Sequence, residues 1–173
     1  MRAACGREGF DARTRSAYNG CVERKATGED RLGPFKDRLP ALRELFARAG
    51  VVAAYLHGSY AEGCAGPGSD VDFAVLLPRD VEPAQFDSIS ATLALEIGRV
   101  LQFPNVDVRI LNHAGYYFEF RVTSTGVCVY ARSEEERMDY EAWAGTRWCD
   151  FQWYQDIFDR AVRERIEEGT FGR

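Results

Sequence analysis

Val51-Val52-Ala53-Ala54-Tyr55-Leu56-His57-Gly58-Ser59 and, after ten intervening residues, Asp70-Val71-Asp72-Phe73-Ala74-Val75-Leu76-Leu77 decide how this chain folds. The first run is short, apolar and closed by glycine, which is the pattern of a buried strand. Gly58 then permits a sharp turn and a close approach of backbone N–H groups to a ligand. A helical turn starting at Ser59 would offer free N–H groups and the positive end of its dipole to a triphosphate. Gly63, Gly66, Pro67 and Gly68 stop that turn and return the chain into a second strand from about Ser69. Side chains alternate along a strand, so Asp70 and Asp72 share a face, about 7 Å apart. Ala74 and Leu76 follow them on that face while Val71, Phe73 and Val75 line the other. Both faces are therefore buried beyond the acidic pair, which must lie at the rim of a cleft. Two carboxylates so close repel one another, and a hard cation relieves them.

A third carboxylate is available in Asn105-Val106-Asp107-Val108-Arg109-Ile110-Leu111, where apolar and charged residues alternate as in a half-buried strand. Beside the first acidic strand, Asp107 can join Asp70 and Asp72; three carboxylates would hold two Mg²⁺ ions about 4 Å apart, and Asp107 would be the candidate base. Between the two strands, Phe86, Ile89, Leu93, Ile97 and Val100 recur at helical spacing after Pro83. A helix there is a crossover, which leaves the acidic strands parallel.

The run from Leu56 to Leu77, Gly-Ser, ten residues, Asp-x-Asp, resembles the signature of the polymerase-beta-type nucleotidyltransferase superfamily. Its short, stand-alone form is similar to the minimal nucleotidyltransferase (MNT) group. The resemblance extends over about 51–160, through the Asp107 strand, the segment from Phe120-Arg121-Val122 to Gly126-Val127-Cys128-Val129-Tyr130, and Cys149-Asp150-Phe151. It implies an α/β (α+β) fold with a mixed sheet flanked by helices, ATP as donor, Mg²⁺ as cofactor, and transfer of AMP with release of pyrophosphate. Carried over, Gly58 and Ser59 hold the distal phosphates, and Asp70, Asp72 and Asp107 hold metal and form the catalytic set. Stand-alone members resemble antitoxins that pair with HEPN-family ribonuclease toxins, so the implied acceptor is a toxin hydroxyl. This chain departs from many relatives at Glu62, where they carry a basic residue: either Glu62 faces solvent or triphosphate affinity is reduced.

Each residue also has a plainer reading. Gly58-Ser59 alone is an ordinary strand-ending turn, Asp70 and Asp72 alone a solvated strand start, and Asp107 a partner of Arg109. His57 is read as a packed residue at a strand end, and His113 as a loop or helix-start residue; the chemistry needs neither.

At 173 residues, 46% of them hydrophobic and 13% aromatic, the chain can bury one core and not two. Net charge is −5, from 27 acidic and 22 basic residues. That argues against broad binding to nucleic acid and for a protein or small-molecule acceptor. No apolar run reaches membrane-spanning length, and no apolar core follows Arg2 as in a signal peptide. Five cysteines without a Cys-x-x-Cys pair imply neither a zinc site nor a disulfide framework, and point to a reducing cytoplasm.

Residues 1–33 have few large apolar residues and no period, and are expected to form a mobile extension. A single nucleotidyltransferase domain is expected over 34–165. Its first helix runs from Pro34 to Ala49 with Phe35, Leu39, Leu42, Leu45 and Phe46 inward. Residues 114–125 are expected to be helical and Val127–Tyr130 a strand. Ser133 and Glu136 have the spacing of a capping box before a long terminal helix. That helix carries more aromatic residues than one face usually buries, and the surplus is a candidate partner surface. Two other classes share this fold: an enzyme modifying an antibiotic-type small molecule, which usually has a further substrate domain, and a nucleotide-binding protein without turnover.

Overall fold

The computed structural model describes residues 30–169, and two of its elements begin where proline dictates. A 3-10 stretch over Asp30–Arg38, kinked at Gly33, leads into α1, Leu39–Arg48. The helix expected from Pro34 is thus divided. Pro40, which lacks an N–H, stands in the first turn of α1, where no amide partner is needed. The expected inward residues hold: Phe35, Leu39, Leu42, Leu45 and Phe46 are all buried. The expected extension at 1–33 lies, up to residue 29, outside the described residues, as do Cys5 and Cys21.

Then follow β1 (Ala53–His57), α2 (Gly58–Glu62), β2 (Val71–Leu76), a 3-10 turn at Pro83–Gln85, α3 (Phe86–Leu101) and β3 (Val106–Ile110). The chain continues with α4 (Tyr116–Thr125), β4 (Val127–Ala131) and α5 (Glu134–Glu167). The sheet order is β3-β2-β1-β4. β1 pairs antiparallel with β2 and β4, whereas β2 and β3 run parallel, as a helical crossover requires. The second strand begins at Val71, two residues later than expected, so Asp70 precedes it.

Helices cover both faces. On one, α1 and α3 bury Leu42, Leu45, Phe46, Leu93 and Ile97 against Leu56, Val71, Phe73 and Val75. Each such side chain contributes about 1.5–3 kcal/mol of burial. On the other, Ala53, Tyr55, Ala74, Leu111 and Val122 form a second cluster with Phe118 and Tyr140 packed against it. Asn112 fixes the β2–β3 register: its Oδ1 accepts from Leu77 N and its Nδ2 donates to Leu77 O, both at 2.8 Å.

Half of the expected capping box forms at α5. Ser133 Oγ accepts from Glu136 N, but the Glu136 carboxylate takes two hydrogen bonds from Arg132 instead of returning to the cap. Tyr55 OH donates to Glu141 at 3.0 Å and ties α5 to β1. Cys128 and Cys149 are free thiols, whereas Cys64 is disulfide-bonded, against the reading of the cysteines as those of a reducing cytoplasm. Among the described residues no helix is long and apolar enough to cross a membrane.

Candidate active site

The register carries the site. His57 on β1 faces Asp72 on β2, and Asp72 faces Asp107 on β3, so the three side chains form one row across the sheet. The row lies on the face that α4 covers further along, where Ala74 and Leu76 follow Asp72. Asp72 is half-buried, while Asp70 and Asp107 are exposed at the rim. Burial holds the Asp72 carboxyl above its usual range, and the charges of Asp107 and Asp70 push the same way against a lowering effect of His57.

Gly58 closes on this row. Its φ is +68°, in the left-handed region that favours glycine, and a Cβ built there would lie 2.3 Å from Asp72 Oδ2. Glycine is needed twice over, for the backbone angle and for the space. The turn and the carboxylate are therefore in direct contact. Ser59 follows in the first turn of α2, whose amides have no partners within the helix. Tyr60 anchors α2 against the rings of Phe35 and Phe103, and Gly63, at φ +71°, ends it by donating to Ser59 O and Tyr60 O.

The plainer readings meet mixed outcomes. Asp107 Oδ2 is 3.7 Å from Arg109 Nε, the alternative pairing, but both side chains are about 60% exposed and the pair is weak. Arg109 also lies over the Phe118 ring at 5.2 Å. His57 is packed edge-on against Phe118, its Nε2 is buried without a hydrogen-bond partner among the described residues, and burial pushes its pKa down. His113 packs against Phe86.

Glu62 is exposed, the first of the two expected courses, and it is also paired. Its carboxylate accepts from Arg121 Nη2 of α4 at 2.8 Å, so the acid beside the glycine turn is neutralised by a cation from another helix. Sequence reading missed Phe118 and Arg121. They stand three apart on one side of α4, a spacing that marks a shared face but not what it faces.

A hard divalent cation fits these residues. Among the described residues no group of three or more His, Cys, Asp or Glu side chains is gathered into a ready metal cage. Mg²⁺ takes one or two carboxylates together with substrate phosphates, an arrangement that rim acids beside an amide-lined turn are chemically suited to.

The family described as polymerase beta, nucleotidyltransferase, matches residues 41–135, more than half of the chain and the whole of the row and turn. Among solved structures, the chain is similar to a toxin–antitoxin complex with AMP-PNP, at 20% identity over 73% of this chain and 97% of that one, with a TM-score of 0.57. It is similar to the complex of a tri-AMPylated Shewanella oneidensis HEPN toxin with an MNT antitoxin, at 18% identity, 73% and 98% coverage, and a TM-score of 0.55. A third is the toxin–antitoxin pair MntA–HepT, at 17% identity, 73% and 98% coverage, and 0.53. At these identities the likeness is one of fold. None of the curated proteins matches the chain.

Proposed function

We propose that this chain, which belongs to the polymerase beta nucleotidyltransferase family, transfers AMP from ATP to a hydroxyl of a HEPN-type toxin and silences it. The observation that carries the reading is the contact of Gly58 with the Asp72 carboxylate, on the rung that also bears Asp107. The complexes with AMP-PNP and with a tri-AMPylated toxin support the donor and the acceptor by analogy of fold.

In this reading Asp70, Asp72 and Asp107 would hold Mg²⁺, which would neutralise the triphosphate and make the acceptor hydroxyl a better nucleophile. Gly58 and Ser59 bind the distal phosphates through backbone N–H groups and the serine hydroxyl. The acceptor oxygen bonds to the α-phosphorus as the bond to the bridging oxygen breaks, and pyrophosphate leaves with the electron pair. Asp107, exposed at the edge strand, takes the hydroxyl proton. Arg121 pairs with Glu62, which weakens the argument from Glu62 for a fold without turnover. ATP as donor favours the cytoplasm, although the disulfide at Cys64 points the other way.

The test is incubation with Mg²⁺ and each α-labelled nucleoside triphosphate, with and without a helical HEPN-type partner. Label on the partner, strongest with ATP, is expected. Label confined to a small hydroxyl compound would move the assignment to the antibiotic-modifying class, and no label at all would remove the enzymatic reading.

A further inference from the structure

Arg109 is a cation set among groups that gather cations. It stands two residues beyond Asp107 on β3, so the two side chains share a face of the sheet. Its partner in the register is Ala74, on the rung behind the Asp72–Asp107 pair, and Ala74 offers it nothing to bond. β3 is the edge strand, so no further strand flanks it on the other side. The neighbouring acid, Asp107, leaves its Oδ2 3.7 Å from Nε, beyond hydrogen-bonding distance. The guanidinium rests instead over the face of Phe118, with Cζ 5.2 Å from the ring centroid. The same ring takes His57 edge-on, so one side chain in the first turn of α4 reaches from β1 to β3 behind the acidic row. Burial dominates the pKa shifts of Asp72 and His57, but Arg109 lowers both, which puts its charge within reach of the whole row. Among the described residues its N–H donors make no hydrogen bond.

A positive side chain beside carboxylates that are to hold a divalent cation opposes the metal, so its place there calls for an anion. Asp107 does not fill that need, because both side chains are largely exposed and such a pair contributes little. We propose that the anion is the α-phosphoryl group in transfer, and that Arg109 is a catalytic residue donating N–H groups to its non-bridging oxygens in the transition state. The inference rests on the reaction proposed above. There the acceptor oxygen bonds to the α-phosphorus, the bridging oxygen leaves with its electron pair as pyrophosphate, and the hydroxyl proton goes to Asp107. That proton fixes the geometry: the base touches the attacking oxygen, the attacking oxygen touches the phosphorus, and the guanidinium lies against that same base. The planar fork of an arginine matches two oxygens on one phosphorus, and a cation aimed at a transferring phosphoryl group stabilises the charge that develops there. Phe118 holds the guanidinium in place without an acid that would consume its donors. Arg121 does not duplicate the role, since Glu62 already takes its guanidinium.

Arg109→Gln removes the charge and the fork and tests the role with α-labelled ATP, Mg²⁺ and the helical HEPN-type partner. The kcat for labelling is expected to fall about 100-fold while the KM for ATP moves less than about threefold. The melting temperature should stay where it is, because the side chain is exposed and its pairing weak. Arg109→Lys, which keeps the charge without the fork, should regain about tenfold of the lost rate. A further measurement needs no turnover: Mn²⁺ binding to the nucleotide-free protein, followed by electron paramagnetic resonance, should be at least as tight in Arg109→Gln as in the parent, since a like charge has left the site. Weaker Mn²⁺ binding in the variant would make Arg109 a residue that merely orients Asp107, and overturns the proposal. A lowered melting temperature, or a kcat equal to the parent's, does the same. A parent chain that labels no acceptor removes the reaction and this role with it, whereas a parent that labels its partner beside an equally active Arg109→Gln removes the role alone.

Discussion

Asp72 and Asp107 stand on the same rung of two parallel strands, although 34 residues of chain separate them. The crossover through α3 and the Asn112 clamp on Leu77 produce that juxtaposition, and Gly58 presses on its inner member.

Gly58→Ala should abolish nucleotide transfer and cost about 1–2 kcal/mol of stability, because the new Cβ is strained at a positive φ and meets the Asp72 carboxylate. Label transfer and urea denaturation read the two effects separately. A fully active variant would show that the turn is not part of the site.

Asp72→Asn should also abolish labelling, yet without loss of stability. The raised pKa of Asp72 means that the fold disfavours its charged form, so a neutral isostere relieves burial and repulsion by Asp107 and Asp70. Thermal melts at neutral pH should give a Tm at or above that of the parent protein; a marked fall would make Asp72 a structural residue.

Arg121→Ala should leave the melting temperature nearly unchanged, since its bridge to Glu62 is largely exposed and worth at most about 1 kcal/mol. The KM for ATP should rise several-fold, because Glu62 is then uncompensated beside the phosphates. Glu62→Gln in the same background should recover most of the loss. Equal KM values in all three proteins would place the pair away from the nucleotide.

Glu119 is 1% exposed, and its carboxylate receives Arg147, whose guanidinium lies 4.2 Å from the Tyr116 ring centroid and 4.1 Å from that of Trp143. Arg147→Ala should therefore cost about 3–5 kcal/mol near neutral pH. Burial raises the Glu119 pKa while Arg147 lowers it, so without Arg147 the rise is larger. A raised folded-state pKa gives stability that is complete below the unfolded value and is lost as pH rises through the folded one. The variant should accordingly recover toward the parent protein as pH falls into the carboxylate range, and Glu119→Gln should restore it at neutral pH. Denaturation curves across pH would expose the opposite slope if the assignment were wrong.

Much of this was legible in the residues themselves. Strands β1, β2 and β3 announce themselves by length and alternation, and the apolar period of α3 made the crossover, and with it the parallel pairing, readable. Local chemistry corrected the boundaries: Pro40 delays α1, and Asp70 stands just outside the ladder. The pairing of Glu62 with Arg121 lay out of reach because it joins residues 59 apart, through a topology that no spacing encodes. The clamp of Arg147 on Glu119 is of the same kind: an acid in the middle of α4 reads as solvent-facing until α5 is laid over it. Surplus aromatic residues in the last helix were visible, and Trp153, Tyr154 and Phe158 are the ones left bare.

The alternation of side chains that builds the acidic row also sets which changes of length the chain can absorb. Residues added between Gly63 and Ser69, or between Pro78 and Glu82, lengthen loops and leave the row intact. One residue added inside β2 or β3 turns a carboxylate toward α1 and α3, into the apolar layer. Natural variation in length is expected to crowd into those two loops and to spare the strands between them.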